Sequence, residues 1–474
     1  MSRSIDLRTS RRLHVVGVGG PGMSAVALAL VDMGHRVSGS DIRESTVLDR
    51  LRERGVDVRL GHDEAAIVGC DGVTASPAIP ESNPEVAAAR IRGTFLTRAQ
   101  MLASICAVRP TIGVAGTHGK TTTTALVVRC LERAELDPAF IVGGDLIDEG
   151  TNARWGTGPW TVVEADESDG THLHLPLVGT ILTNVDVDHL DHFTDFAAIV
   201  DSFRQYLRGI TGPKVVCIDD SGCRQVLEDA RLADDASIIT YGSDSGALIR
   251  FSDVEVTDHR TTFTVHPGGD EPFRITTSLR GLHNVANITA VVAMMRALDV
   301  PMAAVVRAVA EFSGVGRRFQ IAGEHRGITL VDDYAHLPRE IEAVLQAARD
   351  ARTWRRVVAV FQPNRFNRMA VLSPAYADSF DMADIVVVTD IYASGTARID
   401  GVTGEMVVEA VRNAHPGADV RWSPRRDTLA AFVAPILEPG DICISMGCGD
   451  IETLPAEILT IMRDDNGRED HGID

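Results

Sequence analysis

Short apolar runs, glycine-rich turns and amphipathic stretches alternate along the chain. Residues 13–18 form an apolar run, residues 23–33 form an amphipathic stretch, and a second apolar run ends at Asp41. This order predicts a strand, a turn, a helix and a second strand. The same alternation returns after residue 110 and again after residue 326, so we expect three successive α/β arrangements.

A glycine-rich turn in the first of these regions has the spacing of a nucleotide-binding motif. Gly17, Gly19 and Gly22 follow the first predicted strand and lead into the first predicted helix. Such glycines let the backbone approach a diphosphate at a helix N-terminus, and Asp41 at the end of the next strand suits ribose hydroxyls. The pattern indicates a nucleoside diphosphate without choosing which one, and a tight turn that binds nothing is the alternative.

A second glycine-rich segment, residues 116–124, reads Gly-Thr-His-Gly-Lys-Thr-Thr-Thr-Thr and precedes a predicted helix at 125–134. Its small residues expose backbone N–H groups, Lys120 can contact β- and γ-phosphates, and Thr121 can bind Mg²⁺. Only Lys120 and Lys214 are lysines in this arginine-rich chain. A lysine kept at this position therefore favours a phosphate loop over a polar glycine turn that only caps a helix.

Acidic groups and an imidazole follow two further predicted strands, at 160–163 and 179–182. The first strand runs into Glu-Ala-Asp-Glu-Ser-Asp at 164–169, and the second into Thr-Asn-Val-Asp-Val-Asp-His at 183–189. The carboxyl ends of parallel strands meet at one edge of a sheet, where ligands bind. Each cluster alone is more typical of a solvated turn, but both together after a phosphate loop favour a Mg²⁺ site.

These motifs predict an α/β protein with three domains. We expect an N-terminal Rossmann-like domain at 1–108, a central P-loop ATPase-like domain with a mostly parallel sheet at 109–315, and a C-terminal Rossmann-like, doubly wound sheet at 316–474. The length agrees, because 474 residues correspond to about three domains of roughly 100–200 residues each.

Composition and charge exclude several classes of protein. Hydrophobic residues at 45% are enough for a buried core in each domain. The 46 basic and 66 acidic residues give a net charge of −20, which argues against general binding to nucleic acid or to an anionic membrane surface. The seven cysteines contain no C-x-x-C pair and no stretch reaches 18 apolar residues, so we expect buried, reduced thiols, no membrane span and a cytoplasmic location.

Taken together, the motifs resemble those of the ATP-dependent Mur ligases of peptidoglycan synthesis. The resemblance follows the family order and covers nearly the whole chain. The segments that carry it are 17–24, 38–41, 116–124, 164–169, 183–189, 283–287, 316–319, 331–334 and 361–363.

The resemblance implies a ligase with three substrates. The first domain would hold UDP-N-acetylmuramate, the central domain would hold ATP, and the third would close over both and bring the amino acid, L-alanine. The family route is phosphoryl transfer to the lactyl carboxylate, followed by attack of the amine on the acyl phosphate. No lysine lies between residues 121 and 213, so the carbamylated lysine of several sister ligases is absent, which fits the alanine-adding branch. A monomer or a weak homodimer is expected.

The resemblance also implies roles for individual residues. The UDP-sugar residues would be Gly19, Gly20, Gly22, Met23, Ser24, Asp41, His62 and Ser76. The ATP residues would be Gly116, Thr117, His118, Gly119, Lys120, Thr121, Thr122, Asn284, Asn287, Arg318 and Asp333. Two Mg²⁺ ions would be held by Thr121, Glu164 and His189, and the amino acid by Tyr334, His336, Arg365 and Arg368. Lys120, His189 and Arg318 would be the catalytic residues: Lys120 and Arg318 would stabilise charge on the transferred phosphoryl group, and His189 would serve the second Mg²⁺ ion.

Three positions depart from the family pattern. Leu337 and Asn364 stand where histidines are usual, and Cys448 stands where alanine is usual. Since the first two flank the expected amino-acid pocket, a ligase for another amino acid or for a murein peptide is an open alternative. Two other classes are an oxidoreductase built on the first glycine turn and a nucleotide-binding pseudo-enzyme in which ATP only switches domain closure.

Overall fold

The computed structural model of the protein describes residues 4–188, 193–257 and 260–469. These residues divide into two compact units. The first unit contains the described residues up to Asp253, together with Phe263–Thr276 and Ala286–Ser313. The second contains the described residues of Val254–Thr262, then Thr277–Val285 and the chain from Gly314 onward.

The strands are short, as expected for α/β proteins. They are β1 (Arg12–Val16), β2 (Arg36–Asp41), β3 (Asp57–Leu60), β4 (Gly72–Ala75), β5 (Phe95–Thr97), β6 (Thr111–Ala115), β7 (Ala139–Leu146), β8 (Thr151–Arg154), β9 (Thr161–Glu164), β10 (Gly179–Leu182), β11 (Lys214–Cys217), β12 (Ile238–Gly242), β13 (Ile249–Val256), β14 (Thr261–His266), β15 (Phe273–Thr277), β16 (Gln320–His325), β17 (Ile328–Asp333), β18 (Arg356–Phe361), β19 (Ile385–Val388), β20 (Asp419–Trp422) and β21 (Asp441–Met446).

The α-helices lie between these strands. They are α1 (Pro21–Asp32), α2 (Thr46–Glu53), α3 (Pro84–Ile91), α4 (Arg98–Cys106), α5 (Lys120–Arg133), α6 (Phe196–Arg208), α7 (Ser221–Leu227), α8 (Ala230–Ala233), α9 (Leu282–Ala297), α10 (Met302–Glu311), α11 (Pro338–Asp350), α12 (Phe366–Leu372), α13 (Glu405–Ala414), α14 (Leu429–Val433) and α15 (Leu454–Glu469).

The first sheet has five strands in the order β3-β2-β1-β4-β5, and all its pairings are parallel. The strand order reverses between β1 and β4, which is where open α/β sheets bind ligands. The glycine turn after β1 leads into α1, whose first residue is Pro21. Proline suits this position because its missing N–H would have no partner inside the helix.

The second sheet has ten strands in the order β15-β14-β13-β12-β11-β10-β6-β9-β7-β8. Pairing is parallel from β13 to β7, and β8 closes the edge in the antiparallel direction. All five residues of the central strand β6 are buried, as expected for a strand covered on both faces. Val114 pairs with Glu164 of β9, and Ala115 pairs with Leu182 of β10, so three strands end side by side.

The third sheet has six strands in the order β16-β17-β21-β18-β19-β20. Only β16 is antiparallel to its neighbour, and apolar clusters pack around the other strands. The last residues of three adjacent strands, Asp333, Met446 and Phe361, are in register. This places the loops that follow them at one edge of the sheet.

The prediction of three α/β arrangements with mostly parallel sheets is confirmed. The proposed domain boundaries stay a prediction. The central helix begins at Lys120 and not at 125, because buried packing outweighs the weak helix propensity of four threonines. The strands β5, β7, β8, β11–β16 and β20 were not predicted from the sequence, because their apolar runs are short.

Two expectations about the chain as a whole also have an outcome. Six of the seven cysteines are buried free thiols, as predicted, and Cys448 is half-buried. Within the described ranges, the helices all lack the combination of length and apolar character needed to cross a bilayer.

Candidate active site

The predicted phosphate loop follows β6 and begins the helix α5. Gly116 and Gly119 both have a positive φ, at 124° and 80°. An ideal Cβ at Gly119 would lie 2.9 Å from Asn287 Oδ1, and one at Gly116 would overlap Thr183 Oγ1. Both glycines are therefore required by backbone conformation and by space, and this tight path exposes the first N–H groups of α5.

Hydrogen bonds to the segment that follows β10 hold the phosphate loop in place. The N–H groups of Thr117 and His118 donate to the backbone and side-chain oxygens of Asn184, at 3.1 and 2.8 Å. Thr183 Oγ1 donates to the carbonyl of His118 at 2.6 Å, and Asp186 N donates to Thr117 Oγ1 at 2.9 Å. The two predicted motifs thus form one structure, in which the second motif positions the loop.

Lys120 is almost completely paired within the protein. Its Nζ lies 2.9 Å from Glu167 Oε2 and 2.6 Å from the carbonyl of Gly116, with Thr117 O at 3.3 Å. Burial opposes the charge of Lys120, but the carboxylates of Glu167 and Asp166 more than offset it and raise the pKa of the ammonium. Lys120 is therefore a permanent cation at the start of the loop.

Glu164, at the end of β9, accepts a hydrogen bond from the N–H of Gly143 at 2.8 Å and another from the hydroxyl of Thr121. Burial raises the pKa of this carboxyl. Thr121 and Thr122 occupy the first turn of α5 and are buried. His189 lies outside the described residues.

A hydroxyl and a carboxylate in contact are oxygen donors of the kind that Mg²⁺ prefers. No set of three or more histidine, cysteine, aspartate or glutamate side chains suited to a metal occurs among the residues that the structure describes. Two protein ligands nevertheless fit Mg²⁺, because this ion usually keeps several waters and binds substrate phosphates directly. Thr121 and Glu164 therefore fit a Mg²⁺ ion that arrives with a nucleotide.

The two predicted adenine-side asparagines both belong to α9. Asn287 belongs to the first unit and touches the phosphate loop at Gly119. Asn284 belongs to the second unit, where its Nδ2 donates to the carbonyl of Arg280 at 2.8 Å and lies 3.1 Å from His283 Nε2. The structure thus brings Asn287 to the phosphate loop.

The glycine turn of the first sheet, which contains Gly19, contacts two more of the predicted UDP-sugar residues, Asp41 and Ser76. Asp41 Oδ2 accepts the N–H of Gly19 at 2.9 Å. An ideal Cβ at Gly17 would lie 3.2 Å from Ser76 Cβ, so Ser76 lies against the same turn. The ends of β1, β2 and β4 therefore bring Gly19, Asp41 and Ser76 together.

Met23 and Ser24 are buried in the first turn of α1. Their N–H groups donate to the carbonyl of Gly20, and Ser24 Oγ donates to the carbonyl of Pro21. These contacts show both residues supporting the turn. Contacts to the UDP-sugar through them remain a prediction.

His62 belongs to a buried polar network that the sequence analysis did not anticipate. Its Nδ1 lies 3.0 Å from Glu85 Oε2, which also accepts the hydroxyl of Ser40 at 2.5 Å. His14 Nε2 lies 3.6 Å from the other oxygen of Glu85. Burial works against ionisation of Glu85, but the nearby His14 ring and the hydrogen bond from Ser40 outweigh it and lower the pKa of the carboxyl. An ionised Glu85 can accept a hydrogen bond from His62 Nδ1–H.

In the second unit, two adjacent arginines lie over one aromatic ring. The guanidinium carbons of Arg317 and Arg318 are 5.0 and 5.1 Å from the centre of the Tyr334 ring. Arg317 also binds Asp332 at 3.0 Å and donates to the carbonyl of Gly447 at 2.7 Å. Arg317 is therefore an internal connector between strand ends, and Arg318 is the arginine of the pair with a predicted catalytic role.

Asp333 is buried at the end of β17, where its two oxygens accept the N–H groups of Phe319 and Ala335 at 2.6 and 2.7 Å. Burial raises the pKa of Asp333 to about 6, although Arg318 and the two N–H donors favour the carboxylate. The predicted role of Asp333 toward the sugar hydroxyls of a nucleotide stays a prediction.

Asp333 makes stability depend on pH. Because its pKa is about 6 in the folded protein and 3.8 ordinarily, the folded state holds a proton that the unfolded chain releases. This contribution to the free energy of unfolding, about 3 kcal/mol, is complete below pH 3.8 and is lost as the pH rises through 6. Denaturant unfolding from about pH 4 to about pH 7 should show wild type losing stability relative to Asp333→Asn. Parallel pH profiles for the two proteins would contradict this assignment.

The predicted amino-acid residues Tyr334 and His336 lie together after β17. Their rings are 5.5 Å apart and nearly perpendicular, and His336 Nδ1 lies 3.2 Å from Glu340 Oε2. Tyr376 donates its hydroxyl to the carbonyl of His336 at 2.7 Å. Leu337 is buried at the start of α11, so the position of a usual family histidine is filled here by an apolar core residue.

Arg365 and Arg368 lie at the start of α12, after β18. Arg368 Nη1 donates to Asn364 Oδ1 at 2.7 Å, and Asn364 is 3% exposed. Arg365 has a φ of 62°, and its N–H donates to the carbonyl of Tyr392 at 2.9 Å. Asn364, the second departure from the family pattern, thus contacts Arg368 directly and helps to orient it.

Several charged residues that contact the predicted site were not predicted from the sequence. Glu167 lies inside the acidic segment at 164–169, but nothing in the pattern showed that it pairs with Lys120. Glu85 follows Asn83 and Pro84, a helix-start signal that does not reveal a buried charge. Arg98 likewise follows the capping residue Thr97, and only the structure shows its partners.

Comparison with known proteins assigns all three regions to one family. Family sequence models match residues 12–109 (Mur ligase family, catalytic domain), 114–295 (Mur ligase middle domain) and 317–449 (Mur ligase, glutamate ligase domain). A UDP-N-acetylmuramate–L-alanine ligase of Halorhodospira halophila is 42% identical over 456 residues, which are 94% of this chain and 93% of that protein. One from Geobacter sulfurreducens is 40% identical and covers 93% and 95% of the two chains. The crystal structure of the UDP-N-acetylmuramate–alanine ligase of Thermotoga maritima matches with a TM-score of 0.80 and 28% identity, over 96% of this chain and 100% of that one.

Proposed function

Because the chain belongs to the Mur ligase family, we propose that it joins L-alanine to the lactyl carboxylate of UDP-N-acetylmuramate, with conversion of ATP to ADP and phosphate, in the synthesis of peptidoglycan precursors. The observation that carries this proposal is the similarity to ligases named for that reaction, at about 40% identity over 93% or more of the chain. The phosphate loop with Lys120 supports it, because an oxidoreductase would leave that loop without a role.

The chemistry requires an activated carboxylate. Transfer of the γ-phosphoryl group to a carboxylate oxygen breaks its bond to ADP and makes an acyl phosphate. The amine then attacks the carbonyl carbon, phosphate leaves with the bonding pair, and the nitrogen loses a proton. Lys120 and the N–H groups of the loop bind the phosphates, and Arg318 is proposed to stabilise charge at the γ-phosphate.

ATP is the phosphoryl donor, and Mg²⁺ would neutralise its phosphate charge. Thr121 and Glu164 are the proposed residues for one ion, and His189 for a second. Asn284, Asn287 and Asp333 are proposed to bind the nucleoside. We propose that the enzyme works in the cytoplasm as a monomer or a weak homodimer.

A product assay tests the proposal. The purified protein is incubated with Mg·ATP, UDP-N-acetylmuramate and a panel of amino acids, and ADP and the mass of the UDP-sugar product are measured. We expect ADP only when both other substrates are present, and a mass gain of one alanyl residue. A mass gain from a different amino acid or from a murein peptide would replace L-alanine in the proposal. Nucleotide binding without turnover would indicate a pseudo-enzyme, and reduction of NAD an oxidoreductase.

The contact between Asn364 and Arg368 predicts an effect confined to the amino-acid substrate. Asn364→Leu removes one hydrogen-bond acceptor of the Arg368 guanidinium, so we expect the KM for L-alanine to rise by about tenfold. The KM values for ATP and UDP-N-acetylmuramate, measured in the same preparation, are the internal control and should stay unchanged. A comparable rise for all three substrates would instead mean general damage to the second unit.

A further inference from the structure

Arg98 connects the glycine turn of the first sheet to the acidic segment at 164–169. It is the first residue of α4, and its Nε and Nη2 both bind Asp169 Oδ2, at 3.1 and 2.9 Å. Nη2 also binds Asp166 Oδ2 at 3.2 Å. Burial opposes the charge of Arg98, but Asp169 and Asp166 outweigh it and raise the pKa of the guanidinium. One edge of the guanidinium is thus held by two carboxylates.

The remaining nitrogen of Arg98 faces the glycine turn. Nη1 is the atom that an ideal Cβ on Gly22 would meet, at 3.3 Å. Among the residues that the structure describes, Nη1 has no hydrogen-bond acceptor, and the Arg98 side chain is 20% exposed. Because Gly22 carries no side chain, nothing from that residue covers Nη1.

The same turn begins α1, which spans 12 residues and has no side-chain cap at Gly20. The first N–H groups of a helix attract anions, and a guanidinium forms short, charge-assisted hydrogen bonds to phosphate oxygens. Arg98 therefore adds a directed guanidinium N–H donor to a site that otherwise provides only backbone N–H groups.

The helix α1 is also hydrogen-bonded to residues of the second sheet and of the segment that follows it. Asn152 donates to the carbonyl of Pro21 at 3.0 Å, and Trp155 N donates to Asp32 at 3.2 Å, so both ends of α1 are anchored to the region of the second sheet. Asp166 is itself braced, since its Oδ1 accepts the N–H of Ser168 at 3.1 Å. The guanidinium is thus oriented before any ligand binds.

We propose that Arg98 binds the diphosphate of the UDP-sugar through Nη1, while Asp166 and Asp169 hold its other edge. This inference rests on the proposed function, since it assigns the UDP-sugar to the first glycine turn. Its consequence is that the diphosphate site of the first sheet is completed by carboxylates that follow a strand of the second sheet. These carboxylates neighbour Glu167, which holds Lys120.

The test uses two probes that differ only in the diphosphate. The full-length protein is titrated calorimetrically with UDP and with uridine, for wild type, Arg98→Gln and Arg98→Lys. We expect Arg98→Gln to weaken UDP binding by about tenfold or more, with uridine binding unchanged. The UDP affinity of Arg98→Lys should lie between those of wild type and Arg98→Gln, because an ammonium keeps the charge but loses the paired contacts.

A matched control separates this effect from the loss of a buried ion pair. Arg129, in α5, is 11% exposed and pairs with three carboxylates, those of Glu132, Asp148 and Glu149. Arg129→Gln should leave binding of both probes unchanged. Equal losses for UDP and uridine in Arg98→Gln, or wild-type affinity for UDP, would overturn the proposal. Wild-type protein that binds UDP but forms no ADP contradicts the ligase function alone.

Discussion

Replacing Lys120 by methionine is expected to lower kcat by about 10²–10³, because a cation that stabilises the transferring phosphoryl group commonly contributes about 3–4 kcal/mol in the transition state. Lys120 contacts Glu167 and the loop carbonyls, so the charge is already in place before the nucleotide binds. The measurement is steady-state ADP formation at saturating substrates, together with the melting temperature of each protein.

The only other lysine provides the control for this prediction. Lys214 is 2% exposed, and its Nζ binds Asp235 at 2.8 Å and Ser237 at 2.6 Å. Lys214→Met therefore also removes a buried lysine from an ion pair, and it should lower the melting temperature while kcat stays near the wild-type value. Equal kcat values for Lys120→Met and Lys214→Met would show that Lys120 has no specific role in catalysis.

Gly116→Ala is expected to reduce kcat/KM by on the order of 10²-fold, because the added methyl group displaces the phosphate loop. Its Cβ would overlap Thr183 Oγ1 and lie 2.9 Å from the carbonyl oxygen of Asn184. Thr183 and Asn184 form hydrogen bonds with the loop, so relief of the overlap must move either the loop or these two residues. Initial rates at subsaturating ATP measure the effect.

Gly150→Ala is the control that separates the effect of steric crowding from the effect of backbone strain. Gly150 lies in the turn between β7 and β8 with a φ of 62°, and no atom lies within 4 Å of its ideal Cβ. Gly150→Ala should therefore cost about 1 kcal/mol of stability from the left-handed conformation alone, with activity unchanged. If Gly116→Ala also loses only stability and keeps its kcat/KM, then crowding at Thr183 does not affect the function of the phosphate loop.

Much of the candidate site could be predicted because its residues adjoin one another in sequence. The glycine turn, the phosphate loop and the acidic segments each combine strand, turn and functional group within about ten residues, so a local pattern contains them. Glu164 and Asp333 were placed correctly at strand ends for the same reason. The start of α5 was misplaced because threonine is a poor guide to helix position.

The contacts that orient these groups join distant parts of the chain. Arg98 and Asp169 are 71 positions apart, Lys120 and Glu167 are 47 apart, and Ser40 and Glu85 are 45 apart. The sequence shows the same residue type whether a charged side chain is solvated at the surface or buried in an ion pair. No local pattern distinguishes these states, because the distinction arises from the packing of separate elements.

The amino-acid sequence by itself determined the α/β class, the order of the motifs and which lysine is the candidate for phosphate binding, since each depends on short-range spacing and residue type. Only the tertiary structure decided which carboxylate pairs with that lysine, that Asn364 helps to orient Arg368, and that Arg98 presents one nitrogen to the glycine turn. The physical reason is that burial and hydrogen-bond direction are properties of the folded chain, in which strand ends from separate βα units meet at one sheet edge.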